Sequence, residues 1–163
     1  MKIDADISAE QDTFDLVRSK DGYAAAGRAM VLLMNNDAFE GLRLGEIGRL
    51  IAGQVNRNHY YFICRNNVPT GFIGWAYCSE KAAYDWAERN DPRGIGDGKT
   101  GDSVILNSWL ADGKDMNSYL LGRLREEWTD KKKLFARRRY TSGKSRALVL
   151  NIDRDIKVPG PTT

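Results

Sequence analysis

The chain has 163 residues, 42% of them hydrophobic, with four Trp, two Cys and one His. That suffices for one domain with a real core, and residues 1–163 are expected to form one, folded over about 12–152 between loose tails at 1–10 and 156–163. The net charge of +3 is too weak to argue by itself for a nucleic-acid ligand, and no apolar run approaches the roughly 20 residues that cross a bilayer.

The opening "MKIDADISAEQD" is acidic and has no apolar core, so it does not read as a signal peptide. From Asp12 to Met34 the pattern is helical, and Asp21-Gly22 is expected to break it into two helices. A third helix is predicted from about Leu42 to Val55, where Leu44, Ile47, Ile51 and Val55 share a face. The period then changes to two. His59, Tyr61 and Ile63 fall on one side, and Tyr60, Phe62 and Cys64 on the other. "RNNVP" makes the turn, since asparagine tolerates positive φ and proline cannot donate to a ladder. In the return strand, "TGFIGWAYC", two glycines point to a bulge or a close backbone approach. A turn about Asn67 sets Cys64 roughly opposite Gly71 and leaves Cys78 several residues beyond. No disulfide is expected, and a reducing, cytoplasmic compartment fits.

Ser79 is expected to cap a helix over "EKAAYDWAER". A glycine-rich loop leads into the strand "SVILNSWLAD". Met116, Leu120, Leu124 and Trp128 then mark an amphipathic helix from about Asp115 to Asp130. "KKKLFARRRY" and "RALVLNI" read as two final strands. The central strands are thus predicted at 59–65, 70–78, 103–111 and 145–151.

Among candidate motifs, "RGIGDGKTG" fails as a phosphate loop. Its first required glycine falls on Arg93, and a strand follows where a helix is needed. One histidine and two cysteines on a hairpin offer no cluster of metal ligands. A nucleophilic triad would have to use His59, and nothing beside it in sequence supports that. The strongest compositional signal is the basic run of Lys131, Lys132, Lys133, Arg137, Arg138, Arg139, Lys144 and Arg146. A phosphate backbone, an acidic protein partner or a solvated sheet edge would each explain it. On a strand, Arg137 and Arg139 point one way and Arg138 the other, so the run is not one flat patch.

Helices, a hairpin, a helix, a strand, a helix and further strands make an α+β domain, with a mostly antiparallel central sheet flanked by helices. That order resembles the acetyltransferase-like (GNAT-type) fold. The hairpin is more specific. Tyr60, Arg65, Asn67, Pro69, Trp75, Ala76 and Ser79, followed by Gly101, Asp102, Trp109, Ala111, Gly113 and Asp115, resemble the toxin-activating lysine acyltransferases, the hemolysin-activating family, over about residues 32–150. The resemblance implies transfer of a fatty acyl chain from acyl carrier protein to lysines of a protoxin, by a His between the N-terminal helices and an Asp in the strand after Gly-Asp. Histidine suits a base near neutral pH, and a carboxylate orients it.

At both places this sequence departs from the family. The His position falls on Phe39 and the Asp position on Ser108. Asp37 and Glu40 flank Phe39 as the candidate substitutes; Asp112, four strand residues from Ser108, would lie about 13 Å away and out of reach. His59 lies some twenty residues from the family's position and reads as a strand residue at a rim. Losing both groups implies a non-catalytic or divergent member used as a protein-binding or assembly module, with Lys131–Lys133 and Arg137–Arg139 as its surface. Its partner would be an acidic protein, either a carrier protein or an assembly component, within an oligomer or a larger particle. Glu126, Glu127 and Asp130 just before the run argue against nucleic acid. The alternative is an active acyltransferase with relocated catalytic residues, taking its acyl group from acyl carrier protein or acyl-CoA; no other cofactor and no metal is implied.

Overall fold

The computed structural model describes residues 13–111, 113–140 and 142–157. Among them six strands form one sheet in chain order: β1 (Phe14–Val17), β2 (Tyr60–Arg65), β3 (Val68–Cys78), β4 (Ser103–Leu110), β5 (Lys133–Arg139) and β6 (Ser145–Asn151). The pairings are antiparallel except β4 with β5. Helices α1 (Gly22–Met34), α2 (Asp37–Glu40) and α3 (Leu44–Arg57) lie between β1 and β2, and α4 (Glu80–Arg89) between β3 and β4. The parallel crossover is α5 (Lys114–Glu127), and α6 (Ile152–Asp155) follows β6. This is an α+β fold with a mostly antiparallel sheet, consistent with a GNAT-like arrangement.

The hairpin follows the alternation in the sequence. Ile63, Ile73, Trp75, Val104 and Leu106 bury one sheet face against Leu120, Leu124 and Trp128 of α5 and its end. Tyr60, Phe62, Cys64 and Phe72 bury the other face against Ala25, Ala29 and Leu33 of α1 and Ile47 and Ile51 of α3. Beside this second layer α4 covers Ala76, Cys78, Ile105 and Phe135. Asn66 and Asn67 turn the hairpin at φ 50° and 65°, and Ser79 caps α4 by accepting from the Ala82 N–H.

Four features differ from the sequence reading. The segment 12–20, predicted helical, contains the edge strand β1, paired as Phe14↔Arg65 through Val17↔Phe62. Phe14 and Leu16 pack on the α5-side core with a period of two, and four residues are too few for the sequence to tell the periods apart. Within the hairpin, a bulge between Ile63 and Cys64 pairs Cys64 with Pro69 rather than Gly71. Both cysteines are free and buried. Leu44, assigned to the buried face of α3, is 76% exposed at the first helical position, while Gln54 is fully buried. Ile156 is buried, and its carbonyl accepts from Arg125 Nη1 at 2.6 Å. Residues 1–10, the tail from 158 onward and Asp112 lie outside the described residues. None of the helices among the described residues is long and apolar enough to cross a membrane.

Candidate functional site

The parallel pairing of β4 and β5 ends at Leu106↔Ala136. Beyond it β4 runs on to Leu110 along β3, and β5 runs on to Arg139 along β6, so the sheet opens between the two. At that point β4 carries a bulge. Gly74 pairs with Ser108 and Trp75 with Leu106, which leaves Asn107 as the extra residue. A bulge bends the strand and re-aims its side chains. Here it brings both Asn107 and Ser108 to the α3 side, where Gln54 Nε2 donates to Asn107 Oδ1 at 2.6 Å and to Ser108 Oγ at 2.8 Å.

Gln54 reaches this position because residue 74 has no side chain. A Cβ on Gly74 would stand 2.3 Å from the Gln54 carboxamide. Gln54 is fully buried and Ser108 is 1% exposed. The Gln54 Oε1 acceptor has no hydrogen-bond partner among the described residues. An unpaired buried acceptor costs on the order of 1–3 kcal/mol, so its retention beside the opening marks this cluster as the candidate site. The sequence held two signals of it: a glutamine among the apolar positions of α3, and a glycine in mid-strand.

The two positions that the resemblance singled out flank this opening differently. Ser108 sits inside the cluster. Phe39 lies on α2 and packs against the core formed by α1, α3 and the hairpin. The α2 turn is capped by Asn36, whose Oδ1 accepts from the Ala38 N–H at 2.9 Å. It is tied to the end of β5 by Arg139 Nη1, which donates to the Ala38 carbonyl at 3.0 Å. Asp37 and Glu40 are exposed on the same turn.

His59 is on the other face. Its ring stacks on Trp75 at 5.7 Å and 8°, and meets Tyr77 at 4.4 Å. Trp75 belongs to the α5-side core, so the sheet separates His59 from Ser108. Burial, and then the nearby Arg57 and Arg18, push the imidazole pKa down from 6.5 to about 4, so the ring is neutral at neutral pH. Its Nδ1 is buried without a partner among the described residues. Arg18 also lies 3.9 Å over the Tyr61 ring and pairs with Glu127 at 3.5 Å. A His59–Ser108 couple of the triad type is therefore excluded by placement. Burial also raises the Cys78 thiol to about 11, which leaves it protonated and a poor nucleophile.

The basic run is dispersed. Lys131 donates to the Gly101 carbonyl at 2.9 Å and lies over the Tyr77 ring at 4.2 Å. Lys132 pairs with Asp102 at 3.3 Å, and Lys133 pairs with Glu80. Arg137 donates to Asn90 and Ser145. Arg138 is exposed, 5.5 Å over the Tyr140 ring, and stands opposite Arg146 in the ladder. Among the described residues, no three His, Cys, Asp or Glu side chains gather as metal ligands would.

No curated protein sequence matches the chain. A family model does: that of the RTX toxin acyltransferase family matches residues 19–152, from the end of β1 through the hairpin, the bulged strand β4 and the crossover to the start of α6. With so much of the fold inside the match, the chain belongs to the RTX toxin acyltransferase family.

Proposed function

We propose that this chain is a divergent, non-catalytic member of its family that keeps the acyltransferase fold as a protein-binding or assembly module. The observation that carries the reading is the environment of Ser108. Acyl transfer to lysine requires the amine to attack the thioester carbonyl carbon, the C–S bond to break, and a base to take the ammonium proton. At the positions that would supply the base and its orienting carboxylate, this chain has a serine tied to a buried glutamine and a half-buried phenylalanine packed against the core. The sole histidine is neutral and lies across the sheet.

The binding surface in this reading is the end of β5 with its basic approach, Lys131–Lys133 and Arg137–Arg139, and the partner is an acidic protein, either a carrier protein or an assembly component. Arg138 and Arg139 are the exposed members of the arginine triplet and so carry most of the attraction. Two buried free thiols accord with a cytoplasmic setting. A second reading, residual acyl transfer from acyl carrier protein or acyl-CoA, is favoured by one observation: the unpaired Gln54 Oε1 beside the sheet opening keeps a polar contact for a bound donor.

The test is incubation of the purified chain with loaded acyl carrier protein or acyl-CoA and candidate protein substrates, followed by mass spectrometry. The first reading expects no acyl-lysine above background. Turnover that survives His59→Ala and is lost in Asp37→Ala or Glu40→Ala would establish relocated catalysis instead. Capture of a protein partner that is lost on Arg138→Glu with Arg139→Glu supports the module, whereas tight duplex-DNA binding with a steep salt slope counts against it.

A further inference from the structure

We propose that β6 pairs edge to edge with β6 of a second copy of this chain, joining two sheets across a two-fold axis at Leu148. The inference rests on the sheet edge alone and stands whether or not the chain transfers acyl groups. In the β5–β6 ladder, the Tyr140 N–H donates to Lys144 O and the Ile152 N–H to Lys132 O, both at 2.9 Å. Antiparallel partners alternate between bonded and non-bonded pairs, so residues 146, 148 and 150 face β5. Residues 145, 147 and 149 then direct their N–H and C=O groups outward, where among the described residues no further strand lies.

This edge lacks the usual protections. At the opposite edge β1 is only four residues long and carries Asp15. β6 has seven residues, without proline or a central charge, and its ladder with β5 has no bulge. Leu148 and Val149 at its middle are 49% and 45% exposed. A straight, apolar, unpaired edge is a template for another strand.

Self-complementarity points to a second copy as the occupant. About an axis at Leu148, Ala147 of one copy stands opposite Val149 of the other, Arg146 opposite Leu150, and Ser145 opposite Asn151. The outward odd-numbered residues therefore form the bonded pairs, and the two Leu148 side chains meet at the axis. The strand also has a basic start, Lys144 and Arg146, and runs into α6, where Asp155 is held by Arg154 and Asp153 stays largely exposed beside Arg125. Antiparallel pairing sets the basic start of each copy, Lys144 above all, beside the exposed Asp153 of the other. The two Arg146 residues are offset by four residues, about 13 Å along the strands, beyond the physiological screening length of ~8 Å. Within one chain Arg146 faces Arg138 directly, an unfavourable pair that an acidic neighbour relieves. An interface in which each copy uses the same patch is closed and two-fold.

The experiment is sedimentation or light scattering of the full chain from roughly 1 μM to 0.1 mM. The expected result is a mass that doubles with concentration and goes no further. Val149→Pro removes only an outward N–H, so it is expected to keep the melting transition and remain a monomer throughout. If that variant loses its melting transition, Val149→Lys provides the same comparison. Lys144→Glu or Asp153→Arg alone is expected to weaken the dimer about tenfold, and the two together to restore it. A wild-type monomer at every concentration, a dimer that survives Val149→Pro or Val149→Lys, or growth into longer assemblies would each overturn the proposal.

Discussion

The two faces of the sheet hold two polar clusters of opposite character. On the α3 side, Gln54, Asn107 and Ser108 are neutral amides and a hydroxyl, closely hydrogen-bonded, with one acceptor left over. On the α5 side, His59 lies near Arg18, Glu127 and Lys131, and burial first, then Arg57 of α3 and Arg18, hold the imidazole neutral. The cluster at the sheet opening, Gln54, Asn107 and Ser108, contains no ionisable group. The imidazole on the other side is half-buried between the Trp75 and Tyr77 rings. On the proposed reading, the fold keeps the geometry of a reaction centre while its acid–base equipment is absent or tuned out of range.

The contrast is broken most sharply at Gly74. Gly74→Ala drives a methyl group into the Gln54 carboxamide, and a destabilisation of about 2–3 kcal/mol is expected in chemical denaturation. Adding Gln54→Ala to it should restore part of the loss, because the two residues share one space. Next in size is a test of the proposed loss, in which the family's two groups are placed on the α3 side. Phe39→His with Ser108→Asp is expected to raise acyl transfer from loaded carrier protein at least about tenfold over either single variant, read by mass spectrometry.

A smaller effect is expected from pH, on the other face. The folded His59 pKa, about 4, lies below its unfolded value, 6.5. The unfolded chain therefore binds the extra proton first, and stability rises with pH across that interval. The contribution is full above 6.5 and is lost as pH falls from there towards 4. In His59→Phe the slope of the melting temperature between those pH values should flatten. Smallest of all, Lys133→Ala removes an exposed pair with Glu80 and should cost less than about 1 kcal/mol by the same denaturation measurement.

Much of this contrast was legible before any coordinates. The alternation from Tyr60 to Cys64 assigned the two faces of β2, the paired asparagines gave the turn, and the mid-strand glycines announced a bulge and a close approach. The resemblance pointed to Phe39 and Ser108, and the second of these falls within the polar cluster. Hidden from the sequence was which side of β4 Asn107 and Ser108 would face, because a bulge reverses the alternation from which facing is read. The role of Gln54 was hidden for a related reason. Its partners are more than fifty residues away, and only the register of β3 against β4 brings them together. β1 was missed because its ladder partner is supplied by residues 62–65, across three intervening helices.

The order of the strands has a consequence for how the protein is made. Because spatial order follows chain order throughout the sheet, a chain emerging from the ribosome can add each strand to an edge already present. β1 alone must wait, through α1, α2 and α3, for its neighbour β2. After that, hairpin β2–β3 forms a local nucleus, and growth proceeds in one direction. The longest loop closure joins β1 to β2 across α1, α2 and α3, a shorter one joins β3 to β4 through α4, and the last is the α5 crossover into β5. β6 is added after it. The face offered to a second copy is thus the last to be completed, and nascent chains on one message have little opportunity to associate through it before the rest of the domain has folded.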